Sequence, residues 1–254
     1  MAGKQAATVS GTPEVSVIIP VHNERLILAD AVMGLAYRLP DVTDSFEILL
    51  AENGSDDGTL DEARRLGGKM PWIRVLHDEQ PNYGRALRRG IMAARGRFCV
   101  CDEIDLCDID FYRSSLGLLR PGRADMVIGS KLAPGARDER PLVRRLATRV
   151  LSGLLRHGAG LRGTDTHGPK AFRRRAVAPL AEACRVEENL FASELVIRAE
   201  RAGLKIVELP LVLREKRRPT INLVRRVPRA LYNIGRLVWL FRVQEPRRGR
   251  DRQP

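Results

Sequence analysis

Apolar and polar positions alternate along the first half of the chain with two different periods. Residues 15–20 (VSVIIP) form a β-branched run stopped by Pro20, which predicts a buried strand. Residues 25–37 place apolar side chains at helical spacing. A second strand over 46–52 (FEILLAE) is halted by the turn signal NGSDDG, out of which a helix begins over 58–67. Strands at 72–77, 97–101 and 125–130 follow, with a helix at 84–94. Strands and helices at such short intervals predict an α/β fold with a mostly parallel sheet flanked by helices. In such sheets ligands bind outside the carboxyl ends of the strands. The polar clusters HNE (22–24), ENGSDDG (52–58) and DEID (102–105) all follow such ends.

The second half is less regular. Residues 141–157 read as a basic amphipathic helix, and 163–174 (GTDTHGPKAFRR) as a glycine-broken loop entering a short strand. A helix over 188–202 is closed by Gly203 and followed by a strand at 204–211, then by the basic run REKRRP. Over 221–242, Val224, Val227, Leu231, Ile234, Val238 and Phe241 repeat at helical spacing, while Arg225, Arg229 and Arg236 fall off that stripe. Residues 1–13 and 244–254 are expected to be loose tails, and no internal repeat is present.

Charge separates the two halves. Residues 1–120 hold 14 Lys and Arg against 18 Asp and Glu, whereas residues 121–254 hold 30 against 13. The basic half suits phosphate-bearing or lipid-surface partners. Specific nucleic-acid binding is not expected: no helix-turn-helix, finger or RNP motif is present, and aromatics make up 5% of the chain. Cys99, Cys101, Cys107 and Cys184 have no framework spacing, so free thiols in a reducing compartment are expected, and C-x-C-x5-C is not a zinc pattern. No stretch resembles a signal peptide or reaches the ~18–20 apolar residues that span a bilayer. A cytoplasmic protein, peripheral where it meets a membrane, is expected.

The acids at 101–110 (CDEIDLCDID) stand out in this basic chain. Asp108 and Asp110 suit a helix start. Asp102, Glu103 and Asp105 crowd a strand end, where carboxylates repel unless a cation lies among them, and such a set suits Mg²⁺ or Mn²⁺. His22, Asn23 and Glu24 read either as a helix start capped by Asn23 or as donors and acceptors for a base and ribose. In the second cluster Gly54 and Gly58 shape the turn, Ser55 and Asp57 lie within it, and Glu52 or Asn53 can reach a base edge.

VSVIIPVHNE, ENGSDDGT and the acidic motif after the fourth strand together resemble glycosyltransferase family 2. GSK (129–131), DTHGPKAFRR (165–174) and FASELVIRAERAGLKIVELPL (191–211) resemble its polyprenyl-phosphate (dolichol-phosphate) mannose synthase branch. The resemblance covers roughly residues 14–218 and implies a GT-A fold with a Rossmann-like sheet. That span is expected to divide into a nucleotide-sugar and metal half (14–130) and an acceptor half (131–218); beyond it, the periodicity noted above predicts an amphipathic helix (219–243).

It also implies roles. Pro20 and Glu24 fall in the first nucleotide loop. Glu52 stands where the family has a base-contacting Asp, within a region that includes Gly54 and Ser55. Glu103 and Asp105 align with the metal-binding DxD motif. Cys107 takes the place of a Gln and Lys131 that of an Arg. Arg214 begins a basic element that handles phosphates. The implied reaction is metal-dependent, inverting transfer of a sugar from a nucleotide-sugar, GDP-mannose favoured, to a polyprenyl phosphate at an anionic membrane surface. A soluble transferase acting on a hydroxyl, or a non-catalytic nucleotide-sugar binder, are the alternatives. A hydroxyl acceptor needs a general base, for which Glu187, Glu188, Glu194 and Asp165 are candidates; a lipid phosphate needs none. Arg144, Arg145, Arg149, Arg173 and Arg174 are candidates to receive the acceptor phosphate.

Overall fold

The computed structural model describes residues 11–213 and 223–246. The apolar runs form β1 (Val15–Val21), β2 (Phe46–Asn53), β3 (Ile73–Asp78), β4 (Phe98–Cys101) and β5 (Met126–Ser130), with α1 (Arg25–Arg38), α2 (Thr59–Lys69), α3 (Tyr83–Ala93) and α4 (Ile109–Leu119) between them. The second half adds β6 (Arg137–Asp138), α5 (Leu142–Leu154) running into a π turn, β7 (Lys170–Arg173), α6 (Arg174–Glu182), α7 (Phe191–Arg201), β8 (Ile206–Pro210), β9 (Val212–Leu213) and α8 (Leu223–Trp239). Seven strands make one sheet in the order β3-β2-β1-β4-β7-β5-β8, while β6 and β9 pair separately.

Neighbours in the large sheet run parallel except at β7, which lies antiparallel to both β4 and β5. From β1 the chain winds outward through β2 and β3, then returns to place β4 on the other side of β1. The carboxyl ends of β1 and β4 therefore flank the topological switch point, where such sheets open a crevice. Pro20 keeps it open: β4 pairs only with Val15–Ile18 of β1, so the strand edge beyond has no partner on that side for an N–H that proline lacks.

Both faces of the sheet are covered, which is why its strands are apolar throughout rather than alternating. One core packs Leu28, Val32, Leu66, Phe111 and Leu116 from α1, α2 and α4 against Val15, Val17 and Ile19. The other packs Leu87, Ile91, Val177, Leu195 and Val196 from α3, α6 and α7 against Ile18, Cys99 and Phe172. Each fully buried Leu or Ile contributes about 1.5–3 kcal/mol. Ile234, Leu237 and Phe241 close this second core from α8 and the turn after it. The side chains of Val224, Arg225, Val227 and Arg229 lie outside the description, as do residues 1–10, 214–222 and 247–254. Gln244 and Glu245, expected in the tail, are instead held: Glu245 pairs with Arg198 at 2.9 Å, and Gln244 accepts from Arg185 at 3.1 Å.

Candidate functional site

The rim above β1, β2 and β4 is built by side chains that stitch its loops together. Asn23, at φ +56, accepts from the Asp56 N–H through Oδ1, and its own N–H donates to Ser55 Oγ. The Glu24 N–H donates to Thr59 Oγ1, and the Arg25 N–H to Asp57 Oδ2. Asn53 is buried and bonds Val21 O and the Asn82 N–H, so it fixes the rim rather than reading a base. Gly54 is required twice over: its φ is +69, and a Cβ would lie 2.7 Å from Glu79 O. His22 and Asn23 are exposed, and Pro20, Gly54 and Ser55 are partly so.

Glu52 corrects the base-contact expectation. It is 1% exposed, with one carboxyl oxygen accepting the Ser55 N–H at 2.7 Å and the other bonded to His77 Nδ1 at 2.5 Å. Burial works to raise its pKa, but the bonds from Ser55 and His77 hold it below the usual carboxylate range. The carboxylate faces inward and positions the 54–58 turn.

The acidic stretch divides by orientation. Asp102 is buried, and its two oxygens accept the N–H groups of Glu103 (2.8 Å) and Asp108 (3.3 Å), closing the loop. Burial pushes its pKa up to about 7, and both of its oxygens are engaged in closing the loop, unlike those of a carboxylate open to the rim. Asp108 caps α4 through the N–H groups of Asp110 and Phe111, and Asp110 pairs with Arg113. Cys107 is buried at φ +42 with its thiol on Glu103 O and Ile104 O. Glu103 and Asp105 remain, both solvent-accessible on the rim. The protein crowded around Glu103, and then the charge of Asp105, push its pKa up. Lys131, Lys170 and Arg140 pull it the other way.

Two exposed carboxylates at a strand end fit a hard divalent ion that takes its remaining ligands from water and phosphate oxygens. Among the described residues no cluster of three or more His, Cys, Asp or Glu offers a closed protein cage, so such an ion would depend on a substrate anion. The four cysteines are buried. A groove of about 380 Å³ between α1 and the 104–107 loop, lined by Ile27, Arg38, Asp105 and Leu106, opens beside Asp105.

The cationic wall comes from residues 131–170. Lys131 Nζ lies 3.3 Å from Asp165 Oδ2, which also accepts the Lys131 N–H. Burial would raise the Asp165 pKa, but Lys131 and then the His167 N–H hold it low. Arg140 is forked onto Asp138 by two 2.8 Å bonds. Lys170, which sequence reasoning did not single out, starts β7 opposite Cys101 and is 3% exposed. Its ammonium donates to Gly168 O at 2.8 Å, and no carboxylate pairs with it among the described residues. Burial lowers its pKa to about 8. A lone lysine inside GPKAF carries no spacing signal, so only the fold reveals it.

Two further expectations fail. Because β7 runs antiparallel, Lys170 stands at the functional rim and Arg173, opposite Phe98, at the other end of the sheet. Arg173 bonds Leu119 O and Arg174 bonds Gly96 O, so neither can receive an acceptor phosphate at the cleft. Glu194 is fully buried and accepts from the N–H groups of Arg185 and Val186 and from Arg198 Nε, which removes it as a base. Asp165 is held by Lys131. Glu187 is exposed and accepts from Asn82 Nδ2, while Glu188 accepts from Asn233. Arg214 lies outside the described residues.

A family model described as glycosyl transferase family 2 matches residues 16–178. The glycosyltransferase AglD of Haloferax volcanii is 33% identical over 94% of this chain, which spans 39% of that relative's length. A dolichyl-phosphate hexose transferase of the same organism is 27% identical over 80% of this chain and 84% of its own. The structure also resembles glucosyl-3-phosphoglycerate synthase from Mycobacterium tuberculosis, solved with Mn²⁺, UDP and glucosyl-3-phosphoglycerate. The TM-score is 0.61 and the identity 23%, over 88% of this chain and 80% of that one. At that identity the likeness carries the fold alone.

Proposed function

The chain belongs to glycosyl transferase family 2, and on that premise we propose that it moves a sugar from a nucleotide-sugar, GDP-mannose favoured, to a polyprenyl phosphate, with inversion and with Mg²⁺ or Mn²⁺. The observation that carries this reading is the fate of the candidate bases. Glu194 is turned into the core, and Asp165 is tied to Lys131. An acceptor that arrives already ionised needs no base, and Lys131, Lys170 and Arg140 supply positive charge on the acceptor side.

A divalent ion held by Glu103 and Asp105 would neutralise the donor diphosphate. The chain's own groups set the rest of the reaction. The stitched loops at 22–25 and 53–58 hold the nucleoside, with the exposed His22 and Asn23 and the partly exposed Ser55 as its polar contacts. The lysines and Arg140 hold the acceptor phosphate facing the sugar's anomeric carbon. A phosphate oxygen attacks that carbon opposite the leaving group. The new C–O bond forms as the old one breaks, and the electron pair leaves on the nucleoside diphosphate. No proton has to move.

The resemblance to dolichol-phosphate sugar transferases, and the relative of that name, support the lipid acceptor. A hydroxyl acceptor is the second reading, and it rests on Glu187, the exposed carboxylate beside Asn82. Transfer assays with labelled GDP-mannose and UDP-glucose separate the two. The expected product is a lipid-linked sugar formed equally well by Glu187→Gln. Transfer only to a soluble hydroxyl acceptor, lost in Glu187→Gln, would overturn the lipid reading.

A further inference from the structure

α5 is amphipathic in an unusual way. Its inner face packs through Ser152 and partly through Thr148 and Leu151. Its outer face carries Leu142, Val143, Leu146, Val150 and Leu154, between 40% and 75% exposed. These five fall on one stripe of the helix, where a surface helix normally shows polar residues. Arg145 and Arg149 border that stripe, and the span LVRRLATRVLSGL contains no acid.

We propose that this outer face of α5 seats the protein on an anionic bilayer, with the stripe at the acyl boundary and the arginines at headgroup phosphates. The chemistry of the face selects the occupant. A partner must be apolar at the centre and negative at the edge, which describes a bilayer containing anionic lipid. A second copy docked by the same face would bring arginine borders together across a two-fold axis. Among the described residues no helix is long and apolar enough to cross a membrane, so α5 would lie in the surface plane.

Two neighbours extend the face. Arg140, just before α5, bonds Thr148 of the helix and lies within electrostatic reach of Glu103 and Asp165, so the face adjoins the cleft. At the other end, Arg242 bonds His157 O and Gly158 O, which ties the turn after α8 to the end of α5. That turn and α8 expose Trp239 and Val243, and Trp is favoured at bilayer interfaces. The placement beside the cleft deepens the lipid-phosphate reading and rests on it; the docking itself does not.

The test is co-sedimentation of the full chain with vesicles of phosphatidylcholine alone or mixed with phosphatidylglycerol. Wild type should pellet with the mixed vesicles and far less with neutral ones. Leu146→Glu/Val150→Glu should weaken that binding about tenfold or more. Its melting temperature and its transfer to a water-soluble, short-chain polyprenyl phosphate should stay unchanged. Equal vesicle binding by the double variant overturns the proposal. So does a wild-type dimer, seen by light scattering and lost in the variant, without vesicle binding. Vesicle binding without transfer to any polyprenyl phosphate would retain the docking and remove the lipid-phosphate reading; transfer without vesicle binding would do the reverse.

Discussion

Asp105→Asn removes charge from one of two exposed carboxylates that meet at the switch point, and it leaves the loop-closing bonds of Asp102 intact. Sugar transfer should fall about 100-fold or more with little change in melting temperature, a split that steady-state kinetics beside calorimetry reads directly. Lys170 makes a prediction through pH. Between about 8 and its ordinary 10.5 the folded chain has released a proton that the unfolded chain keeps, so this group's contribution to stability rises with pH. Lys170→Met lacks that contribution. Urea unfolding at about pH 7 and about pH 10 should show wild type gaining on the order of 3 kcal/mol relative to the variant. A pH-independent difference would contradict a buried, unpaired ammonium. That Glu103 and Asp105 stand exposed together after β4 was legible in the sequence, because a carboxylate pair at a strand end is a local signal. Which way Glu52, Asp102, Asp165 and Glu194 point was not legible, because tertiary partners set a carboxylate's direction and those partners lie elsewhere in the chain.

The apolar runs and turn signals were enough to place β1 to β5 and the helices between them. What they did not reveal was the direction of β7, because a four-residue strand takes its orientation from the loop that delivers it. That loop is held by Glu208, which accepts the Thr164 N–H at 2.6 Å, and by Glu200, which accepts the Gly163 N–H at 2.7 Å. Reversal of β7 moves Arg173 and Arg174 away from the cleft and brings Lys170 in. The loop's close approach to β5 is strict: a Cβ on Gly168 would overlap Gly129 O. Gly168→Ala should therefore lower both stability and transfer, whereas Arg174→Ala should leave transfer within about twofold, because Arg174 bonds Gly96 O at the far end. Glu194→Gln belongs to the same scale. It weakens the node joining α7 to the 185–186 segment and to Arg198, so it should cost about 3 kcal/mol by denaturant unfolding. Below its melting temperature it should keep near-normal turnover; a base would lose turnover instead.

At the scale of the molecule, the net charge of +13 is an asymmetry and not a uniform field. The loop after β4 offers two carboxylates, while residues 131–170 offer two lysines and an arginine-bordered apolar helix. That division was legible from composition; the helix that carries the apolar face was not, because α5 and α8 have similar patterns and only packing shows which face each leaves exposed. The proposed reaction turns on the donor, whose diphosphate would be held through a cation on Glu103 and Asp105. Titration calorimetry of GDP and UDP, with and without Mn²⁺, on wild type and Asp105→Asn tests it directly. The account predicts that one nucleotide binds wild type about tenfold or more tightly with Mn²⁺ than without, and that Asp105→Asn abolishes the difference. Equal binding with and without Mn²⁺, or an unchanged Mn²⁺ effect in Asp105→Asn, would contradict it.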